Sequence, residues 1–272
     1  MTGDGKSGPA DQERAAFDTG VAHIARVYDY WLGGKDNFAA DREAARQAVA
    51  ANPGLLAGVR ANRAFLARAV RSLAADYGVR QFLDIGTGIP TASNTHEVAQ
   101  AIVPAARIVY VDNDPVVLSH ARALLASGPE GNADYIDADL RDTATIIERA
   151  ARTLDFSRPV AVLLLLVLHL IPDSDDPYGI VSALMDAVPS GSFLVLTHPA
   201  ADIEAESMAE MAKRLNRLVA QKGTMRQNAE IRRFFAGLEL VEPGVVQPQY
   251  WRPAGPVSTA PVTAWSGVAR KP

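Results

Sequence analysis

Three aspartates hold positions from which they can act together. Asp84 stands in Leu83-Asp84-Ile85-Gly86-Thr87-Gly88, Asp112 in Tyr110-Val111-Asp112-Asn113-Asp114, and Asp139 in Asp137-Ala138-Asp139-Leu140. Each follows or ends a short apolar or β-branched run that reads as a strand. Carboxylates attract cations and accept hydrogen bonds, so the set suits a ligand with hydroxyl and amino donors and a positive centre. An acid after the second strand, with Asn113 beside it, can accept both hydroxyls of a ribose. An acid after the third can accept the amino group of adenine, leaving the Leu140 backbone N–H for a ring nitrogen. Asp84 can favour a cationic end, directly or through a water. Singly, each is as readily a helix cap or loop acid; the signal is the register of all three.

Gly86 and Gly88 sharpen the reading. A turn there must be tight, and glycine lets the backbone approach a ligand with no Cβ in the way. The order strand, glycine turn, helix builds a nucleotide-binding crevice at the carboxyl end of the strand. The dinucleotide fingerprint needs a third glycine where this chain has Thr91 after Ile89-Pro90, so no close approach is reserved for a pyrophosphate. That disfavours a nicotinamide-dependent oxidoreductase. S-adenosylmethionine (AdoMet), an adenosine with a cationic sulfonium and no phosphate, fits the acids and the glycines better. A non-catalytic AdoMet-binding sensor or scaffold shares every one of these features.

His169 and His96 are further candidates. His169 closes the fourth strand in Val167-Leu168-His169-Leu170, where a methyl acceptor belongs, and can serve as general base or as a structural histidine bonded to a loop. His96 either lines the site or is an ordinary residue of the helix after the glycine turn. His23, His120 and His198 show no ligand spacing, so no metal site is expected. No G-x-S-x-G elbow is present, which disfavours an α/β hydrolase. Tyr28 and the segment Trp31-Leu32-Gly33-Gly34-Lys35-Asp36-Asn37-Phe38 combine aromatics, paired glycines, a cation and an amide. The segment reads as a helix C-cap and turn or as a lid over a ligand. Asn62-Arg63 reads as a site pair or as two helix residues.

The elements that would position these groups follow from periodicity. Val21 to Gly78 has helical spacing broken at Gly33-Gly34 and Asn52-Pro53-Gly54, with a helix over Ala61–Tyr77. Strands are expected at Phe82–Ile85, Arg107–Val111, Ala133–Ile136, Pro159–Leu168 and Ser192–Thr197. Helices are expected at Thr91–Val103, Pro115–Ala126, Thr143–Arg152, Pro177–Val188, Ala201–Gln221 and Asn228–Phe235. Pro159–Leu168 is nearly all aliphatic, as in a strand buried on both faces of a parallel sheet. Leu238–Val241 and Val262–Val268 would close the sheet as a hairpin-like pair. Alternation of this kind predicts an α/β fold, a doubly wound, mostly parallel seven-stranded sheet. The organisation expected is a disordered lead over 1–20, a helical cap over 21–78 and a cofactor-binding domain over 79–272.

The 272 residues carry a net charge of −4, 48% hydrophobic residues and no cysteine. Nucleic acid is a poor first partner for such a balance, and disulfides and thiolate metal sites are excluded. No signal peptide opens the chain, and Val160–Leu168 is too short to span a bilayer. A cytoplasmic protein with no membrane partner is expected. Gly5-Lys6-Ser7 lacks the upstream glycine and strand of a phosphate loop. Trp251 and Trp265 serve either the core or an interface, such as that of a homodimer.

The residues also carry a resemblance. They include Arg26 to Asn37, Asn62-Arg63-Ala64-Phe65-Leu66, Phe82 to Pro90, Asn94 to Ala99, Val111 to Pro115 and Leu168 to Asp173. Phe234 to Leu238 and Tyr250-Trp251-Arg252-Pro253 complete the set. With them the chain resembles the class I AdoMet-dependent methyltransferases. More narrowly, it is similar to a bacterial S-adenosyl methyltransferase family once catalogued as a domain of unknown function. The similarity runs from about residue 20 to the C-terminus. It implies an AdoMet-binding sheet with a helical cap, and Tyr28, Gly33, Gly34, Lys35 and Asn37 covering the site. Pro90 departs from the broad class, where many members carry a third glycine. The expected activity is methyl transfer to a small molecule that the resemblance does not identify.

Overall fold

The computed structural model describes residues 19–91, 93–124 and 131–272. Almost all of the expected lead, and the last two residues of the helix expected at Pro115–Ala126, lie outside them. The sheet has seven strands: β1 (Gln81–Ile85), β2 (Arg107–Asp112), β3 (Asn132–Asp137), β4 (Ala161–Leu165), β5 (Phe193–Pro199), β6 (Glu239–Leu240) and β7 (Ala264–Arg270). Their order is β3-β2-β1-β4-β5-β7-β6. The first five run parallel, while β7 is antiparallel to both β5 and β6. The last two strands do pair with each other, but β7 enters beside β5 and leaves the two-residue β6 at the edge.

Strand β4 is buried along its length, and its alternation feeds two cores. Val162 and Leu164 join the cluster under α6 (Thr143–Ala150), α7 (Pro177–Asp186) and α9 (Asn228–Arg233). Ala161, Leu163 and Leu165 join the cluster under α3 (Leu55–Ala75) and α4 (Thr95–Gln100). Trp251 is fully buried there, edge-on to Phe65, so it belongs to the core. Burying one such side chain stabilises the fold by roughly 1.5–3 kcal/mol. Trp265 packs against the first cluster and donates its Nε1–H to Asp202.

A third cluster joins the two ends of the chain. α1 (Ile24–Trp31), α2 (Ala39–Ala51) and the start of α3 pack with α8 (Ala205–Leu218). Small residues, Ala44, Ala45 and Ala48, let α2 pack against the Met208, Met211 and Leu215 helix. The remaining helix, α5 (Pro115–Leu124), follows β2.

Several boundaries differ from the sequence expectation for local reasons. α3 begins at Leu55, directly after the Pro53-Gly54 turn. α4 begins at Thr95 and not at Thr91, because Asn94 and Glu97 form a capping box and Asn94 also takes the Thr91 N–H. α8 begins at Ala205, since the Ala201 N–H goes to Arg226 and Glu204 sits at φ +48°. β4 stops at Leu165, where Leu166 turns to φ +51°, and His169 falls in a 3-10 turn over Leu168–Leu170. It does not close the strand.

Candidate active site

The parallel register sets Ile85 beside Val111 and Leu164, and Asp112 beside Asp137. The carboxyl ends of β1, β2, β3 and β4 thus share one rim. Gly86 and Gly88 lie at φ +74° and +64°, a region that L side chains seldom adopt. A Cβ on Gly86 would run into the side chain of Val167, whereas one on Gly88 would meet nothing within 4 Å. The first glycine is demanded by the chain after β4; the second faces open space.

Asp112 is oriented by backbone donors. Its Oδ2 accepts from Gly88 N at 2.8 Å, and its Oδ1 from Asn113 N and Asp114 N at 2.9 and 3.0 Å. Burial raises its pKa, and these donors draw it back. Asp84, also buried, accepts from Thr95 Oγ1 at 2.6 Å. Burial lifts its pKa to about 6; the Thr95 bond and Arg63 oppose the rise, and the Asp112 charge adds to it. Asp139 is the most open of the three, with Arg141 Nη1 at 2.9 Å and Asn113 Nδ2 at 3.4 Å from its Oδ2.

A cavity of about 180 Å³ opens from this rim. Asp84, Gly86, Gly88, Asp112, Asn113, Asp139, Leu140, Tyr28, Asn62 and His169 all line it. Gly33, Gly34, Lys35 and Asn37 do not. Gly33, at φ +82°, ends α1, and the Asp29 carboxylate accepts from Asp36 N and Asn37 Nδ2. A Cβ on Gly34 would occupy the place of that carboxylate. The segment is a helix cap folded onto Asp29. His96 lines a second, smaller cavity that shares Arg63, Asp84, Thr87 and Gly88 with the first. There the Tyr110 hydroxyl accepts from His96 N and, both at 2.8 Å, stands against Nδ1. Burial holds the His96 pKa down.

The cavity joins two chemically different ends. Near the rim it meets Thr87, Arg63 and His23. Arg63 is the sole lysine or arginine among its described lining residues. His23 Nδ1 lies 2.6 Å from Asp114 Oδ2, tying the start of α1 to the loop after β2. Away from the rim, Trp31, Leu55, Met208, Met211, Leu215, Val219 and Met225 form an apolar wall. Between the ends runs a polar relay. Leu166 N donates to Thr197 Oγ1, which donates to Asn62 Oδ1 at 2.8 Å; Asn62 Nδ2 donates to the Tyr28 hydroxyl at 2.9 Å. The relay fixes Tyr28 at the cavity, and burial raises its pKa.

The floor of the apolar end is held by a buried arginine. Arg226 donates to the carbonyls of Leu168 and Ile171, to His198 Nε2 and to Asp173. His198 Nδ1 therefore carries its proton and gives it to Pro199 O at 2.8 Å. The loop that bears His169 is thereby clamped, and Thr224 N donates to His169 O at 2.6 Å. The His169 Nδ1 is sealed from solvent and has no hydrogen-bond partner among the described residues. Burial, with the Arg226 charge, pushes its pKa down to about 4. No carboxylate holds Nδ1–H as the orienting group of a general base does.

Sequence reasoning did not single out Thr87 or the methionine wall as site residues, and offered Arg63 only as half of the Asn62-Arg63 pair with its two readings. The methionines repeat at ordinary core spacing, and no local signal separates them from core.

The chain matches the family model described as S-adenosyl methyltransferase over residues 10–272. It belongs to that family. A DUF574 family protein from Streptomyces avermitilis MA-4680 superposes with a TM-score of 0.91 at 44% identity, covering 94% of this chain and 99% of that one. A provisionally described methyltransferase from Thermobifida fusca YX follows at 0.86 and 42%, covering 94% and 97%. No curated protein matches. As a member, the chain is an AdoMet-dependent enzyme of the Rossmann-like methyltransferase fold. The site fits that cofactor: three carboxylates suit hydroxyl donors and a cation, and they would repel a pyrophosphate.

Proposed function

We propose that this S-adenosyl methyltransferase methylates a small molecule held against the apolar wall, with residues 21–78 serving as a cap over both ligands. The observation that carries the reading is a single cavity that joins the carboxylate rim to an apolar chamber. Bound AdoMet would supply a methyl already activated by its sulfonium and would leave as the neutral thioether S-adenosylhomocysteine, the proton of the acceptor passing to solvent.

Asp112, with Asn113, takes the ribose hydroxyls in this reading, and Asp139 with the Leu140 N–H takes the adenine edge. Asp84 faces the cationic end, where a positive charge offsets the burial that raises its pKa. Arg63, the lining cation, meets the cofactor's carboxylate in this reading. The chain's main contribution is placement and exclusion of water, which supply much of the acceleration when the leaving group is already activated. His169 orients the acceptor, since it lines the cavity with its Nδ1 enclosed.

No helix of the described residues is long and apolar enough to cross a membrane, and a cytoplasmic enzyme is the reading offered. Calorimetry with S-adenosylhomocysteine (AdoHcy), followed by methyl-labelled AdoMet across a metabolite panel, tests the proposal. Tight AdoHcy binding and label transfer to a small molecule are expected. Transfer confined to macromolecules would overturn the small-molecule assignment.

A further inference from the structure

Resting on the AdoMet reading, the chamber also specifies what kind of acceptor enters it. We infer that the acceptor is an uncharged, largely apolar molecule whose methylated atom carries a hydrogen, and that His169 Nε2 accepts the hydrogen bond from that atom.

The first support is the charge of the lining. Away from the rim, the described residues around the cavity contribute no carboxylate, lysine or arginine. Met208, Met211, Leu215 and Met225 face it from α8 and the segment that follows. The three methionine thioethers adapt to flat or irregular apolar shapes. An ammonium or a carboxylate placed there would lose its hydration with no partner of opposite charge, a large cost. An uncharged apolar body incurs no such loss.

The second support is an unsatisfied polar group. His169 is over nine-tenths buried, and its Nδ1 has no hydrogen-bond partner among the described residues. Nδ1 is fully enclosed, which leaves Nε2 as the nitrogen with access to the cavity the ring lines. A donor arriving at Nε2 gives the ring a hydrogen bond that the surrounding side chains do not supply. Asn216 does not compete for the role, because both ends of its amide are taken by Gly223. The neighbouring histidine does not compete either, since its two nitrogens bond Arg226 and Pro199. His169 is therefore a positioning group: it selects a donor-bearing acceptor atom and fixes where its lone pair points.

The test uses the full chain loaded with AdoHcy and four probes of one shape: 1-naphthol, 1-methoxynaphthalene, 1-naphthoate and 1-naphthylmethylammonium. Calorimetry should rank 1-naphthol first, about tenfold tighter than its methyl ether, the difference expected for one buried hydrogen bond. Both ions should bind more weakly than either neutral probe. His169→Phe should erase the naphthol preference while AdoHcy affinity and the near-ultraviolet dichroism persist. His169→Gln, which keeps an acceptor, should restore part of it. Met225→Glu, at a half-buried position, should raise affinity for the ammonium probe, a check that does not touch the histidine.

Tighter binding of either ion to the unaltered chain would overturn the inference. So would an undiminished naphthol preference in His169→Phe, or failure of both neutral probes to bind while AdoHcy binds. Failure of AdoHcy itself would instead strike the cofactor reading beneath it.

Discussion

The carboxylate rim and the methionine-lined chamber open on one cavity but are built on opposite principles. The rim is made by neighbours: parallel strands bring Asp84, Asp112 and Asp139 to one edge, and backbone N–H groups then fix the central carboxylate. The chamber is made by strangers. Residues from α1, from α3, and from α8 with its following segment meet there only because the ends of the chain fold onto each other. The rim recognises by directed polar groups, the chamber by shape and by the absence of charge. A fixed ligand suits the first construction, and a variable one suits the second.

The sharpest way to break this contrast is to remove the rim's centre. Asp112→Ala deletes the carboxylate that accepts three backbone donors, and with it the proposed ribose contacts. AdoHcy affinity should fall roughly 100-fold or more, given about 1.5–3 kcal/mol for each charge-assisted hydrogen bond. Unchanged affinity in calorimetry would remove Asp112 from the cofactor site.

Asp84 offers a second test through pH. Its pKa is raised in the folded state to about 6, so the fold binds its proton more tightly than the unfolded chain does. The stability it contributes is full below the ordinary carboxylate range and is lost as pH rises through about 6. His169 and His198, held down to about 4 and about 3, act in the opposite sense: they favour the fold above their ordinary range, and that stability is lost as pH falls. The difference between the wild type and Asp84→Asn isolates the carboxylate. The variant should gain stability relative to wild type as pH goes from 4 to 7, on the order of 3 kcal/mol, in denaturant titrations. A flat difference would show that Asp84 does not titrate as a buried acid.

The Gly33–Asn37 segment sharpens the comparison from outside. Gly34→Ala forces the Asp29 carboxylate aside and should cost about 1–3 kcal/mol of stability, with AdoHcy affinity of the folded protein unchanged. Lys35→Ala, at an exposed position, should move stability by no more than about 0.5 kcal/mol and leave binding alone. A clear loss of AdoHcy affinity in Lys35→Ala would return this segment to the role of a lid.

What could be read from the residues divides along the same line. Phe82 to Gly88, the aspartate that ends β2 and the one that follows β3 were legible because one strand–turn motif and one rule of parallel topology place them. The order of the last strands was less so, since no local pattern says that β7 slips in beside β5. The end of β4 was misread because Leu165, Leu166, Val167 and Leu168 are alike in hydropathy, while the turn at Leu166 is set by its neighbours. The Gly33–Asn37 segment held two readings, and the decisive group, Asp29, looks like any helix acid. The chamber was silent, because methionines lining a void have the same spacing as methionines filling one.

Arg226 carries a consequence for how such an enzyme changes its trade. Its guanidinium fastens the carbonyls of Leu168 and Ile171 to a segment more than fifty positions later, so the floor and the side of the chamber move as one part. Grafting a different 219–226 stretch from a relative would transplant the floor's anchor along with the wall. Attempts to retool acceptor choice should therefore succeed when both stretches are exchanged together, and yield unfolded or idle protein when only one is.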